Sequence, residues 1–154
     1  MNQESAIEHV APTTASIATA TAVGATSRAL PTFAPGFYPI AIGAAFAEGV
    51  YAGVVRGVNG APDQHLLLID GEVDGVIWDT ACIWAESVGG SLPTRAEQAV
   101  LFGNLKDHFQ RDWYWSSEQA GPSTAWDQYF LDGTQSSLTR SYEGRARAVR
   151  RLPI

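Results

Sequence analysis

Disulfides are excluded at once: the 154-residue chain has one cysteine, Cys82, which can neither close an internal bridge nor build a thiolate metal cluster. Any fold must therefore rest on its apolar core. Cys82 lies in an apolar helical run, where cysteine packs as a small hydrophobe rather than serving as a nucleophile. Charge is scarce as well, at 17% of residues against 45% hydrophobic, and the net charge of -6 leaves no basic surface broad enough for nucleic acid. No apolar run reaches the ~18 residues of a spanning helix. The most apolar stretch, residues 37–55, is broken by Pro39, Gly43, Glu48, Gly49 and Gly53. Glu4 stands where a secretory signal would carry positive charge, so neither a signal peptide nor membrane insertion is expected.

Catalytic patterns are missing too. His9 belongs to a low-complexity tail, His65 to an apolar strand and His108 to a turn. Trp115-Ser116-Ser117-Glu118 lacks the Gly-x-Ser-x-Gly spacing of a nucleophile elbow, and there is no phosphate loop. The expectation is a non-enzymatic protein with no cofactor and no resident metal.

What is present is uneven. Residues 70–132 hold eleven carboxylates against Arg95, Lys106 and Arg111, whereas residues 140–151 hold five arginines against Glu143. The alternation Gly144-Arg145-Ala146-Arg147-Ala148 reads as a strand with one charged face rather than a phosphate site. Residues 11–29 are nearly all Ala, Thr, Ser, Val, Ile and Gly, with Arg28 the only charge, and bury too little to fold alone. They form either a plain tail or an arm that orders on a partner. The connector that follows carries Pro31, Pro35 and Pro39 among Phe33, Phe37, Tyr38 and Phe46, which keeps the backbone extended. The division expected is an anchoring arm over residues 1–46 and a folded domain over 47–154.

The domain opens with a β-branched strand at 49–57, an Asn59-Gly60 turn and a return strand at 65–70 that is apolar enough to be buried on both faces. A polar turn is expected at 71–75. Asp79 is a good N-cap for a helix over 80–88, with Trp78 and Ile83 placed as a hydrophobic staple and Gly89-Gly90 as its end. Ala81, Trp84 and Val88 recur at helical spacing as its packing face. The capping box Thr94-Arg95-Ala96-Glu97 starts a second helix through 102, closed by Gly103. Strands follow at 113–117, 125–131, 134–140 and 144–151, with Asp132-Gly133 as a tight turn. In the second of these, Trp126, Gln128 and Phe130 share one face and Asp127, Tyr129 and Leu131 the other. The fold class is α+β: a β-hairpin, two helices and then antiparallel strands, with the two ends of the domain brought together.

Five motifs in this order carry a resemblance: Trp78-Asp79-Thr80-Ala81, Leu92-Pro93-Thr94-Arg95-Ala96-Glu97, Tyr114-Trp115-Ser116-Ser117, Ala125-Trp126 with Asp132-Gly133, and Arg145-Ala146-Arg147-Ala148-Val149-Arg150. Together they resemble the C-type-lectin-like domain of unknown function found in phage tail and virion proteins and in bacterial surface adhesins. The resemblance spans residues 49–152 and implies a lectin-like fold. Calcium-dependent lectins use a Glu-Pro-Asn segment, absent here, and a Trp-Asn-Asp segment whose nearest echo is Trp126-Asp127-Gln128. Glu118, Asp127 and Asp132 could approach one another as oxygen ligands, but three carboxylates on turns are more often a solvated face. The sulfatase-activating enzymes of the same broad fold need active-site cysteine chemistry that Cys82 alone does not offer.

The resemblance implies a virion protein, with a receptor-binding or host-attachment module at a tail-fibre tip as the leading reading. A capsid decoration or fibre-attachment subunit and a prophage-encoded adhesin are the alternatives. Its partners would be other virion proteins through residues 1–46, in a symmetric, trimeric assembly, and a host-surface glycan or protein. Candidate contacts lie on the turn-rich last third: Trp115, Ser117, Glu118, Gln119, Ser123, Trp126, Asp127, Gln128, Tyr129, Gln135, Ser136 and Tyr142. Trp113 and Trp115 alternate with Tyr114, so at least one of these faces is expected to be core, and for the tryptophans the core reading is the stronger.

Overall fold

A computed structural model describes residues 41–154; the low-complexity arm and most of the connector lie outside the described residues. From the N-terminal side the elements are β1 (Ala45–Phe46), β2 (Gly49–Val55), β3 (Gln64–Ile69), β4 (Val73–Val76), α1 (Trp78–Ser87) and α2 (Arg95–Leu105). They are followed by β5 (Trp113–Gly121), β6 (Thr124–Tyr129), β7 (Gln135–Thr139), β8 (Gly144–Ala146) and β9 (Val149–Pro153). The class is α+β, with two sheets and two helices.

Apolar sequence decides which strand is central. His65 to Ile69 offer no polar face to solvent, and all five are buried. β3 accordingly lies between β2 and the C-terminal β9, both antiparallel to it, in a sheet ordered β1-β2-β3-β9. The ends of the domain therefore meet in one sheet. Asn59 and Gly60 both adopt left-handed conformations (φ 53° and 82°), the backbone that Asn-Gly favours in a hairpin. They occupy part of a longer connection, whose Asp63 carboxylate accepts the Gly57 N–H at 2.8 Å.

The second sheet is ordered β4-β8-β5-β6-β7. Its β4 lies where the sequence suggests a polar turn. Glu72 and Asp74 are polar there because Arg145 of β8 needs them: its guanidinium meets Glu72 at 2.6 Å, Asp74 at 2.8 Å and Asp112 at 2.9 Å. The Tyr114 hydroxyl donates to Glu72 at 2.7 Å, and burial pushes that phenol well above its ordinary pKa. The closing stretch 144–151 is not one strand. β8 joins the second sheet and β9 the first, with buried Ala148 at the crossing and its carbonyl accepting Ile69 N–H. Alternation of small and charged residues runs through both strands, so the pattern does not mark where the chain changes partner.

Helix α1 starts two residues earlier than expected. Its N-cap is Ile77, with no side-chain cap, and Asp79 instead pairs with Arg140 from the first turn. Trp78 begins the helix because it is a cross-link: its ring is buried and its Nε1–H donates to Ser116 O on β5 at 2.8 Å. Ile83 is 69% exposed, so no staple forms. The buried face is Trp78, Ala81 and Ala85, and the two alanines pack with Ala146 and Ala148, while Trp84 and Val88 are half-buried beside them. The end is a Schellman motif: Gly89 N–H donates to Glu86 O and Gly90 N–H to Ala85 O, both at 3.0 Å. A Cβ on Gly90 would stand 2.4 Å from Ile69 Cδ1 and 2.5 Å from Val149 O, so that position requires glycine.

Helix α2 opens on the expected capping box, with Thr94 N–H donating to Glu97 Oε2 at 2.8 Å and Glu97 N–H to Thr94 Oγ1 at 3.2 Å. Glu97 has a second partner, Arg151 on β9, in a two-pronged pair at 2.5 and 2.6 Å. The helix runs past Gly103 to Leu105, because Leu101 and Leu105 are both buried against Leu66, Leu68, Tyr114 and Phe130. Gly103 faces open space and ends nothing. One face of the second sheet thus meets α2, and the other carries the core around α1.

Candidate functional site

The capping box sets the site. It makes Arg95 the first residue of α2 and turns its side chain toward β6 and β7. Its guanidinium lies 3.6 Å from the centre of the Trp126 ring, and its Nε–H donates to Gln135 Oε1 at 3.0 Å. Gln135 Nε2 donates in turn to Gln128 Oε1 and to Arg95 O, both at 2.8 Å. Gln128 Nε2 donates to Gln98 O at 3.1 Å, tying the buried centre of β6 to α2. One hydrogen-bond chain therefore fixes Arg95, Gln135 and Gln128 against each other.

Beside this chain lies an open groove of about 600 Å³, lined by Arg95, Ala96, Ala99, Phe102, Asp132 and Gln135 among others. Ala96 and Ala99 are exposed, and Phe102 is half-buried with its ring edge against Phe130. Lys106 stands over Phe102, 4.8 Å from the ring centre, and its Nζ donates to Leu131 O at 2.9 Å. Asp132 is exposed in the β6–β7 turn, where hydrogen bonds from Thr134, helped by the charge of Lys106, hold its carboxyl below the ordinary range. The groove thus offers an apolar floor, a fixed cation at Arg95 and a carboxylate at Asp132. Such a surface suits a small amphipathic ligand.

The candidates named from sequence divide. Trp126, Gln128 and Gln135 belong to the groove, Trp126 as the ring beneath Arg95 and Gln128 as a buried support. Glu118 is adjacent and accepts the Arg95 N–H at 2.6 Å. Trp115 and Asp127 face the other side of the sheet, and each is only 1% exposed. Trp115 is a core residue whose Nε1–H donates to Val76 O at 3.0 Å, so it presents no surface to a ligand. Tyr129 stacks on Trp113 at 5.0 Å, and the exposed Tyr142 stands edge-on to Trp115 at 6.3 Å. Ser117 holds Pro93 O through its backbone N–H; Gln119 and Ser123 are exposed near the β5–β6 turn, and Ser136 is half-buried on β7. These four do not converge with the groove residues.

Glu118, Asp127 and Asp132 do not come together either: one serves α2, one is buried, and one is exposed in a turn. Among the described residues, no group of three His, Cys, Asp or Glu could hold a metal ion. Asp127 is the more unusual carboxylate. Neither oxygen has a hydrogen-bond partner among the described residues, and burial raises its pKa from 3.8 to about 6. The Cys82 thiol is pushed up by burial and by Asp79 and Glu86, the reverse of an activated nucleophile.

Sequence reasoning missed Arg95 and Phe102 as site residues. The capping box accounts for Arg95 in the sequence, and nothing local places it against Trp126, 31 residues away. Neither a protein-family model nor a curated protein matches this chain.

Proposed function

We propose that the chain is a non-enzymatic virion protein whose C-type-lectin-like domain attaches a phage particle to its host, most simply from a tail-fibre tip. The observation that carries this reading is the domain's layout. The N-terminal hairpin β2-β3 and the last strand β9 share one sheet, two helices lie between them in the chain, and a second, turn-rich sheet presents the groove at Arg95. The five motifs quoted above that resemble the lectin-like domain fall on structural joints. Trp78 is the α1–β5 cross-link, Thr94 and Glu97 are the α2 cap, and Asp132-Gly133 is the β6–β7 turn beside the groove.

A rigid two-sheet scaffold with its polar groups fixed before ligand arrives loses little entropy on binding, which favours recognition over chemistry. The arm expected over residues 1–46 overlaps the domain at its end, since Ala45–Phe46 form β1 of the first sheet. In this reading the part before β1 supplies the attachment to other virion proteins, in a symmetric, trimeric assembly. Gold-labelled antibody against the chain, applied to purified particles and imaged by electron microscopy, tests the proposal. Label at fibre tips is expected. Label spread over the capsid would transfer the chain to a decoration role, and unlabelled particles would refute a virion protein altogether.

A further inference from the structure

We infer that the groove at Arg95 takes a sugar bearing a carboxylate, with the Arg95 guanidinium as the carboxylate-recognising group. This rests on the attachment reading and deepens it.

The inference begins with the arginines. Among the described residues, Arg140 pairs with Asp79, Arg145 with three carboxylates and Arg151 with Glu97. Arg147 donates to the carbonyls of His108 and Ile69, and Arg150 to that of Gly89. Arg56 and Arg111 are exposed, with no partner to hold them in one orientation. Among the described arginines held in place without a carboxylate, Arg147 has both terminal amines on carbonyls, whereas Arg95 is held by its Nε and its face and keeps its terminal amines unoccupied. It is fixed, with its Nε–H on Gln135 and its face on Trp126, and no described carboxylate pairs with its guanidinium. Its two terminal amines have no hydrogen-bond partner among the described residues and are not buried.

A guanidinium held by its Nε and by one face presents its remaining donors as a planar fork, the geometry that a carboxylate fills with two parallel hydrogen bonds. The rotamer entropy that such a pair ordinarily loses on binding is already spent in the free protein. Stacking on Trp126 keeps the charge in place without neutralising it.

The rest of the groove favours a sugar over a bare anion. Ala96, Ala99 and Phe102 form an apolar floor that suits the C–H face of a pyranose, and Asp132 is placed to accept from hydroxyls. Lys106, over the Phe102 ring but outside the groove lining, adds positive charge nearby, which offsets part of the repulsion that a chain of net charge -6 exerts on an acidic ligand.

The test uses the isotope-labelled full chain, titrated separately with methyl glucuronoside, methyl glucoside and acetate, with the arginine Nε–H and glutamine side-chain signals followed by NMR. The glucuronoside should move the Arg95 Nε–H and Gln135 amide signals, with an affinity at least about tenfold above either control. Arg95→Lys keeps the charge and loses the fork, and should weaken glucuronoside binding about tenfold or more with an unchanged circular dichroism spectrum. Equal binding of the glucoside would overturn the carboxylate while leaving sugar attachment standing. Equal binding of acetate would overturn the sugar and make a bare carboxylate, such as that of an acidic peptide, the ligand. No movement at Arg95 or Gln135 with any probe would overturn the inference outright, while the location of the chain on particles would still be judged by gold labelling.

Discussion

Replacing Asp127 by asparagine isolates the one described carboxylate that the fold buries without a partner. Asp127 is 1% exposed, both of its oxygens are unpaired, and its pKa rises from 3.8 to about 6. A carboxyl whose pKa is higher in the folded chain than in the unfolded one holds its proton more tightly when folded. Its contribution to stability is then fully present below about pH 3.8, is lost as pH rises to about 6, and stays lost above that. The gap between 3.8 and about 6 corresponds to about 3 kcal/mol, an upper figure because water drawn toward the ionised group would lower it. Asparagine removes the titration but leaves an unpaired buried amide, which costs about 1–3 kcal/mol at every pH. The informative quantity is therefore the change with pH, not the stability at any one pH. Urea unfolding of both full chains from pH 3.5 to 7.5 gives the difference in free energy between variant and parent. Ion pairs such as Arg151–Glu97 titrate alike in both chains and cancel in that difference. The variant should gain about 2–3 kcal/mol on the parent between pH 4 and pH 7. Parallel curves would mean that the Asp127 carboxylate is solvated or paired in the native protein, and the packing ascribed to that face of β6 would be wrong.

Glu97→Gln removes the charge that Arg151 and the α2 cap share, and should destabilise the fold by about 2 kcal/mol, on the order of 10 °C in Tm, measured by calorimetry. A change below about 2 °C would show that the pair is not formed in solution. Trp84→Ala should cost about 1–2 kcal/mol in urea unfolding rather than the 3–5 expected of a fully buried tryptophan, since Trp84 is only half-buried beside α1's alanine face. Thermal melts in millimolar calcium and in chelator should coincide, because Glu118, Asp127 and Asp132 are held apart. A rise of several degrees with calcium would require a site that brings them together.

Local signals carried much of this fold. Thr94 and Glu97 announce α2 because a capping box is local in sequence, and Gly89-Gly90 announce the end of α1 because the Schellman backbone needs the left-handed Gly89 (φ 81°). The apolar run from His65 to Ile69 gives away a central strand. Other features were hidden because their causes are distant. Trp78 starts α1 on account of Ser116 O, 38 residues away, so Asp79 as N-cap was a fair local reading that a tertiary bond overrode. The polar 71–75 segment becomes a strand because of Arg145, and the Arg/Ala alternation of 144–151 gives no sign of its change of sheet. At the site, alternation along β6 correctly put Trp126 and Gln128 on one face. It said nothing of Arg95, which reaches that face across 40 residues to Gln135.

Binding of the labelled full chain to the bacterium whose lysate yields the particles, compared with an Ala99→Trp variant, tests attachment through the groove most directly. Ala99 is exposed and lines the groove, so the added indole fills the groove without entering the core. The parent should bind cells saturably, and the variant, with an unchanged circular dichroism spectrum and melt, should lose at least about tenfold in affinity. A variant that binds cells as well as the parent would contradict attachment through this groove.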